Sequence, residues 1–206
     1  MRNRRAWFGY GLMAVLACTQ GSAVSAYTLS SFQWPEPETT FYVDIPGANG
    51  MWNSTFEDAM AQWSGDTAFN YLIVTDEYRN PCNSPSGSSP ARNGVDFSST
   101  NCGDSWGSGV LATTTSYSVN GVRVQAGVLF NSNFSWAVYS GPWQWSVSDV
   151  RRVAMHELGH ALGLGHEDVQ SAIMSTFVGA IENPTADDLA GATALFGPAP
   201  ESDTDG

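Results

Sequence analysis

All three histidines of the chain lie in the segment 156–166, which reads His-Glu-Leu-Gly-His-Ala-Leu-Gly-Leu-Gly-His. His156 and His160 are four residues apart, so on a helix their side chains leave one face about one turn apart. That separation suits two imidazoles on one tetrahedral zinc ion. Gly163 allows the chain to turn back, and His166 can then reach the same ion. Three protein ligands leave a fourth position for water, which is typical of a catalytic rather than a structural zinc site.

Glu157 directly follows the first of these histidines. A carboxylate at that position can reach a zinc-bound water without binding the metal, so we expect Glu157 to act as general base. The pattern His-Glu-x-x-His also occurs by chance on ordinary helices. Here it extends to a glycine and a third histidine at fixed offsets and includes every histidine of the chain, which argues against chance.

The extended pattern matches the metzincin signature His-Glu-x-x-His-x-x-Gly-x-x-His in full, and the chain resembles the matrixin branch of these zinc metallopeptidases. Met174 lies eight residues after His166, in a segment Ser-Ala-Ile-Met that is similar to the family's methionine turn. That short gap is typical of matrixins. Thr176 stands where astacin and serralysin relatives carry tyrosine, so a tyrosine metal ligand is not expected.

The resemblance implies an α+β (mixed α/β) catalytic domain with a twisted, mostly parallel sheet, an active-site helix and a C-terminal helix. It implies zinc-dependent hydrolysis of internal bonds in a protein or peptide substrate. The segment 109–112 resembles the family's edge strand, in which Leu111 and Ala112 would offer backbone groups to an extended peptide. The segment 185–197 resembles its closing helix.

The sequence departs from the familiar animal matrixins and resembles a bacterial type. It shows no pro-segment with an inhibitory cysteine, and no histidine remains for a structural zinc, so we expect a single catalytic zinc. Ser175 and Thr176 replace the usual Tyr-Pro after Met174, and Phe177 is the candidate for that wall of the substrate pocket. Calcium sites are common in the family, but no loop here has a recognisable ligand pattern, so calcium binding stays open and unlocated.

Two other functions are compatible with the same residues. A non-catalytic, zinc-stabilised binding module would not need Glu157, which argues against that reading. A zinc hydrolase acting on a non-peptide amide would not need an edge strand suited to extended peptides.

Residues 1–26 are typical of a signal peptide, which predicts cleavage after Ala26 and export to the periplasm or the medium. The basic start consists of Arg2, Arg4 and Arg5. A short apolar stretch follows at Trp7–Ala17, and Val24–Ala26 supplies the small residues of a cleavage site. About 11 apolar residues are too few for a membrane anchor. A lipoprotein signal ending at Cys18 is the less favoured alternative, because Leu16 stands where a small residue is expected. By the family resemblance, the freed Tyr27 terminus would pair with Asp187 or Asp188.

Export also bears on the cysteines and on the charge. Loss of the signal peptide leaves Cys82 and Cys102, which predicts one disulfide in an oxidising compartment. The chain has no lysine, and the expected mature protein carries five arginines against 20 acidic residues, a formal charge of −15. That balance argues against nucleic acid or an anionic membrane as a partner. We expect a monomer.

The domain is expected to span 27–197, followed by a disordered acidic tail at 198–206. Residue patterns predict strands at 40–45, 69–75, 95–97, 109–117 and 122–130, with a hairpin turn at Asn120-Gly121. They predict helices at 54–63 with a capping box of Ser54 and Glu57, from Ser148-Asp149 to Leu164, and from Thr185 to Phe196. The region 131–147 is predicted to be a loop.

Overall fold

The computed structural model describes residues 26–85 and 92–201. The predicted signal peptide up to residue 25, the alternative lipidation site at Cys18 and the last five residues of the predicted tail lie outside these ranges. Within them, no helix combines the length and apolar character that crossing a bilayer requires.

Among the described residues, a five-stranded mixed sheet and three α-helices are the main elements of the domain. The sheet strands are β1 (Glu38–Val43), β2 (Asn70–Thr75), β3 (Asn93–Ser98), β4 (Ala112–Val119) and β5 (Val122–Asn131). Their order is β2-β1-β3-β5-β4, and all neighbours are parallel except β4, which runs antiparallel to β5. The helices are α1 (Met51–Asp66), α2 (Val150–Leu162) and α3 (Ala186–Phe196). The predicted α+β fold with a mostly parallel sheet is therefore confirmed.

All five predicted strands form, with ends displaced by up to three residues. The largest displacement is at β4, which begins at Ala112 rather than at 109 because a turn closes first, with the Val110 N–H donating to the Gly107 carbonyl at 3.3 Å. Asn120 and Gly121 have φ values of 52° and 81° and form the predicted tight turn between β4 and β5.

The predicted start of α1 is wrong. The helix begins at Met51, directly after a 3-10 turn at 48–50, so Ser54 lies in its first turn and does not cap it. The Ser54 hydroxyl faces back along the helix, 3.1 Å from the Met51 carbonyl oxygen. The predicted capping box with Glu57 is therefore absent from the helix start.

Helix α2 begins at Val150 and is capped by Asp149 rather than Ser148, because the Asp149 carboxylate accepts hydrogen bonds from the first backbone N–H groups of the helix. Ser148 and Asp149 also form a short strand, β7, which pairs with β6 (Trp136–Ala137) inside the region predicted as a loop. The helix ends at Leu162, two residues before the predicted end.

Side chains from elsewhere in the fold fix α2 through its backbone. Three buried aromatic groups donate hydrogen bonds to carbonyls of this helix. The pairs are Trp63 with Met155 (2.9 Å), Tyr71 with Leu158, and Trp34 with Ala161 (2.8 Å). The position of α2 is thus set by the core as well as by its own hydrogen bonds.

Two further predicted features are present. Cys82 and Cys102 form the predicted disulfide. Thr185 and Asp188 form the predicted capping box at the start of α3.

Candidate metal centre

The structure brings the three histidines of the sequence pattern together. His156 and His160 leave the same face of α2, with ring centroids 4.6 Å apart. Gly163, at φ 136°, ends the helix in a conformation that favours glycine, and the returning chain places the His166 ring 4.7 Å from that of His160. One ring nitrogen from each histidine lies within 4.8 Å of the others, so the group could hold a metal ion.

The hydrogen bonds of the first two histidines select the ring nitrogen that faces the centre. Nδ1 of His156 lies 2.8 Å from the Ile173 carbonyl oxygen, and Nδ1 of His160 lies 2.9 Å from that of Leu164. A carbonyl oxygen can only accept, so each Nδ1 carries a hydrogen and each neutral ring keeps Nε2 free as a ligand.

The protonation preference of the site also suits a metal. Burial lowers the pKa of His160 and of His166, so the neutral rings are favoured. Nε2 of His160 lies 3.1 Å from Nε2 of His166, a distance at which the His166 N–H donates to His160 or both nitrogens bind one cation. Three converging neutral imidazoles are a donor set that zinc accepts.

A cleft of about 680 Å³ runs along the candidate metal centre. Glu157 lines it together with the three histidines, although this residue is only 5% exposed to solvent. Its lining also includes Leu111 and Ala112, the two residues predicted to bind substrate. Strand β4, which continues from them, lies at the edge of the sheet.

A second cavity of about 330 Å³ opens beside His156. Its wall is formed by the chain after Met174, including Ser175 and Phe177. Phe177 is 83% exposed and lines both this cavity and the cleft. The residue predicted to form a pocket wall therefore stands between the two spaces.

The segment predicted to form the methionine turn packs against the helix that carries the first two histidines. Met174 is buried against Gly159 of α2. The Asp188 carboxylate accepts hydrogen bonds from the backbone N–H groups of Ile173 and Met174, at 2.9 and 3.2 Å. Helix α3 therefore holds the turn in place through a residue that also caps the helix.

Asp187 and Asp188, the two predicted partners of a new N-terminus at Tyr27, have different surroundings. Asp188 is occupied by the methionine turn and by its own helix cap. Asp187 accepts a hydrogen bond from the Ala26 N–H at 2.9 Å, and its other oxygen is buried without a partner among the described residues.

Sequence reasoning missed two residues that support the site. Arg123 of β5 is buried and donates to the carbonyls of His160 and Ala161, both at 2.6 Å, at the end of α2. Thr114 of β4 contacts Glu157. The sequence hinted at a structural role for Arg123 only because it is an arginine within a predicted strand of a chain without lysine. Nothing distinguished Thr114 from the threonines on either side of it.

Comparison with known proteins agrees with the matrixin resemblance of the sequence. A family model described as matrixin matches residues 48–197. The chain is 43% identical over 56 residues to Metalloendoproteinase 1-MMP of Arabidopsis thaliana, covering 26% of this chain and 15% of that protein. It is 41% identical over 64 residues to Matrix metalloproteinase-25 of Homo sapiens, covering 28% and 11%.

A third relative is Matrix metalloproteinase-9 of Canis lupus familiaris, which is 47% identical over 51 residues, 24% of this chain and 7% of that protein. These matches span under a fifth of each relative, whereas the family model covers most of the present chain. The chain belongs to the matrixin family.

Proposed function

We propose that the protein is a zinc-dependent endopeptidase that hydrolyses internal peptide bonds. The observation that carries the proposal is the convergence of three imidazoles beside the Glu157 carboxylate, in a cleft bordered by a sheet edge. His156, His160 and His166 would hold a single zinc ion. Family membership and the names of the metalloproteinase relatives support the same reaction class.

A zinc ion held there supplies Lewis-acid chemistry, since it polarises a carbonyl group and lowers the pKa of water. The Glu157 carboxylate accepts the proton of the attacking water and delivers it to the leaving amine. Burial of Glu157 keeps bulk water from competing for that proton.

The sheet edge supplies the recognition of substrate in this proposal. An extended peptide can add to the edge at Leu111 and Ala112 through backbone hydrogen bonds, so it needs no particular side chain for that contact. The cavity beside His156 would receive one substrate side chain, and Phe177 would cover it. A sheet edge beside a cavity that can receive a side chain favours a protein or peptide over a small non-peptide amide.

Casein cleavage tests this function. We expect cleavage that a chelator abolishes and added zinc restores. A binding module would leave casein intact with zinc bound, and a hydrolase of non-peptide amides would leave it intact while consuming such an amide. Either result would replace the proposal.

We also propose that the protein is exported, that residues 1–26 are removed in the process, and that the mature protein is a monomer. N-terminal sequencing of the secreted protein should begin at Tyr27, whereas a lipidated Cys18 would show the alternative. A sedimentation experiment that gave a dimer would contradict the monomer.

The new terminus at Tyr27 is proposed to pair with Asp187 rather than Asp188. Support comes from the Ala26 N–H, which donates to one oxygen of Asp187, and from the other oxygen of that carboxylate, which is buried and has no partner within residues 26–85 and 92–201. Extending the mature protein by a few residues, or replacing Asp187 by Asn, should lower its activity. Unchanged activity in both variants would reject the pairing.

A further inference from the structure

The hydroxyl of Thr114 lies against the residue proposed as general base. Thr114 is the third residue of the edge strand β4, and its Oγ1 is 2.7 Å from Oε2 of Glu157. The same hydroxyl is 2.9 Å from the backbone carbonyl oxygen of Glu157. A threonine hydroxyl carries one hydrogen, so it can donate to only one of these oxygens at a time.

The carboxylate is the better acceptor of the two. The backbone carbonyl of Glu157 lies inside α2, where the N–H of Ala161 is its regular helical donor. Oε2 has Thr114 as its hydrogen-bond donor among the described residues. A carboxylate oxygen is also charged and closer, which strengthens the bond. The hydrogen of Thr114 therefore points to Oε2.

We propose that Thr114 is a positioning residue for Glu157, an inference that rests on the proposed peptidase function. Its hydroxyl holds Oε2, which fixes the plane of the carboxylate and leaves Oε1 to exchange the proton with water and with the leaving amine. Without this bond the buried carboxylate can rotate about its side-chain torsions and lose its alignment.

The position of Thr114 in the fold gives this contact a second consequence. Leu111 and Ala112, which would bind the substrate backbone, belong to the same continuous segment as Thr114. The segment from Leu111 to Thr114 would thus contact both the peptide substrate and the base that acts on it.

The neighbouring Thr115 offers a matched control. Its side chain is half-buried like that of Thr114, but its hydroxyl lies near the carbonyl oxygens of Pro81 and Gly127, at 3.2 and 3.3 Å. It does not line the cleft. The substitution Thr115→Val removes the same atom from the same strand without touching Glu157.

Steady-state kinetics on an internally cleaved fluorogenic peptide, with zinc content measured in each sample, provide the first test. In Thr114→Val we expect kcat to fall roughly 10- to 100-fold, the range for losing a hydrogen bond to a charged group, with KM changed by less than about twofold. Thr114→Ser keeps the hydroxyl and should recover most of kcat. Thr115→Val should match the unmodified protein, and all variants should keep their zinc.

Thermal unfolding of the zinc-loaded protein provides a test that does not depend on activity. Thr114→Val leaves a buried carboxylate unpaired and should lower Tm by about 3–6 °C, whereas in a Glu157→Ala background it should lower Tm by less than about half as much. If the hydroxyl donates instead to the backbone carbonyl, both backgrounds should show the same shift. Thr114→Ala replaces Thr114→Val if the latter does not fold.

The outcomes separate this inference from the proposed function. An active unmodified enzyme whose kcat is unchanged by Thr114→Val, or a kcat that Thr114→Ser does not recover, would overturn the role of Thr114 alone. Equal Tm shifts in the two backgrounds would do the same. Absence of peptide cleavage by the unmodified zinc-loaded protein would instead reject the peptidase function.

Discussion

Replacing Gly159 by Ala tests how tightly the active-site helix packs on the methionine turn. Gly159 lies on α2 between two of the candidate metal ligands. A Cβ atom added there would overlap Sδ of Met174 and lie 3.2 Å from both Cε of Met174 and Cζ2 of Trp63. Both neighbouring side chains are buried, with Met174 1% exposed and Trp63 fully covered, so neither has open space to move into.

Two opposing effects set the magnitude. Alanine is the better helix former by about 0.5–1 kcal/mol. Overpacking in a filled core costs about 1–3 kcal/mol, because the displaced side chains must leave their preferred rotamers. The overlap should win, with a net loss of about 1–2 kcal/mol in the free energy of unfolding, or about 3–6 °C in Tm for a domain of this size.

Circular dichroism melts of the zinc-loaded variant measure this shift, and two further variants serve as controls. Gly65 of α1 is exposed, and a Cβ there would meet nothing within 4 Å, so Gly65→Ala should raise stability by about 0.5 kcal/mol. In a Met174→Ala background the overlapping sulfur is gone, so Gly159→Ala should cost less or become stabilising.

A Gly159→Ala protein as stable as the unmodified chain would refute the reasoning. Equal costs in the two backgrounds would show that Met174 is not the obstacle.

Three further predictions concern the buried Arg123, the disulfide and two of the candidate metal ligands. Arg123→Met removes buried donors at the end of α2 and should lower the free energy of unfolding by about 2–4 kcal/mol, measured by denaturant titration; a loss below about 1 kcal/mol would contradict it. Opening the disulfide with Cys82→Ser and Cys102→Ser should cost about 2–4 kcal/mol in the same assay, and no change would argue against its stabilising role. In the metal-free protein, His160 and His166 bind protons less readily than in the unfolded chain, so stability should fall as pH drops through about 6.5; replacing both by Gln should weaken that dependence.

The candidate ligands were predictable because their relation is local in sequence. The offset from His156 to His160 decides which helix face they share, and a glycine at 163 permits the return of the chain. The α3 cap was predictable for the same reason, since Thr185 and Asp188 contact each other within one turn.

Prediction failed where distant or preceding residues decide the structure. The pair of Ser54 and Glu57 matches a capping box, but the helix had already begun after the turn at 48–50. The contact between Thr114 and Glu157 joins residues 43 positions apart, and no spacing rule connects a strand to a helix at that distance. Such contacts depend on the strand order, which the local pattern does not specify.

The most direct test of the account compares zinc content and peptide cleavage in the unmodified protein, Glu157→Gln and His160→Ala. We expect one zinc ion and internal cleavage in the first, one zinc ion without cleavage in the second, and neither in the third. Cleavage that persists in Glu157→Gln, or full zinc content in His160→Ala, would contradict a centre in which three histidines hold the metal and Glu157 moves the proton.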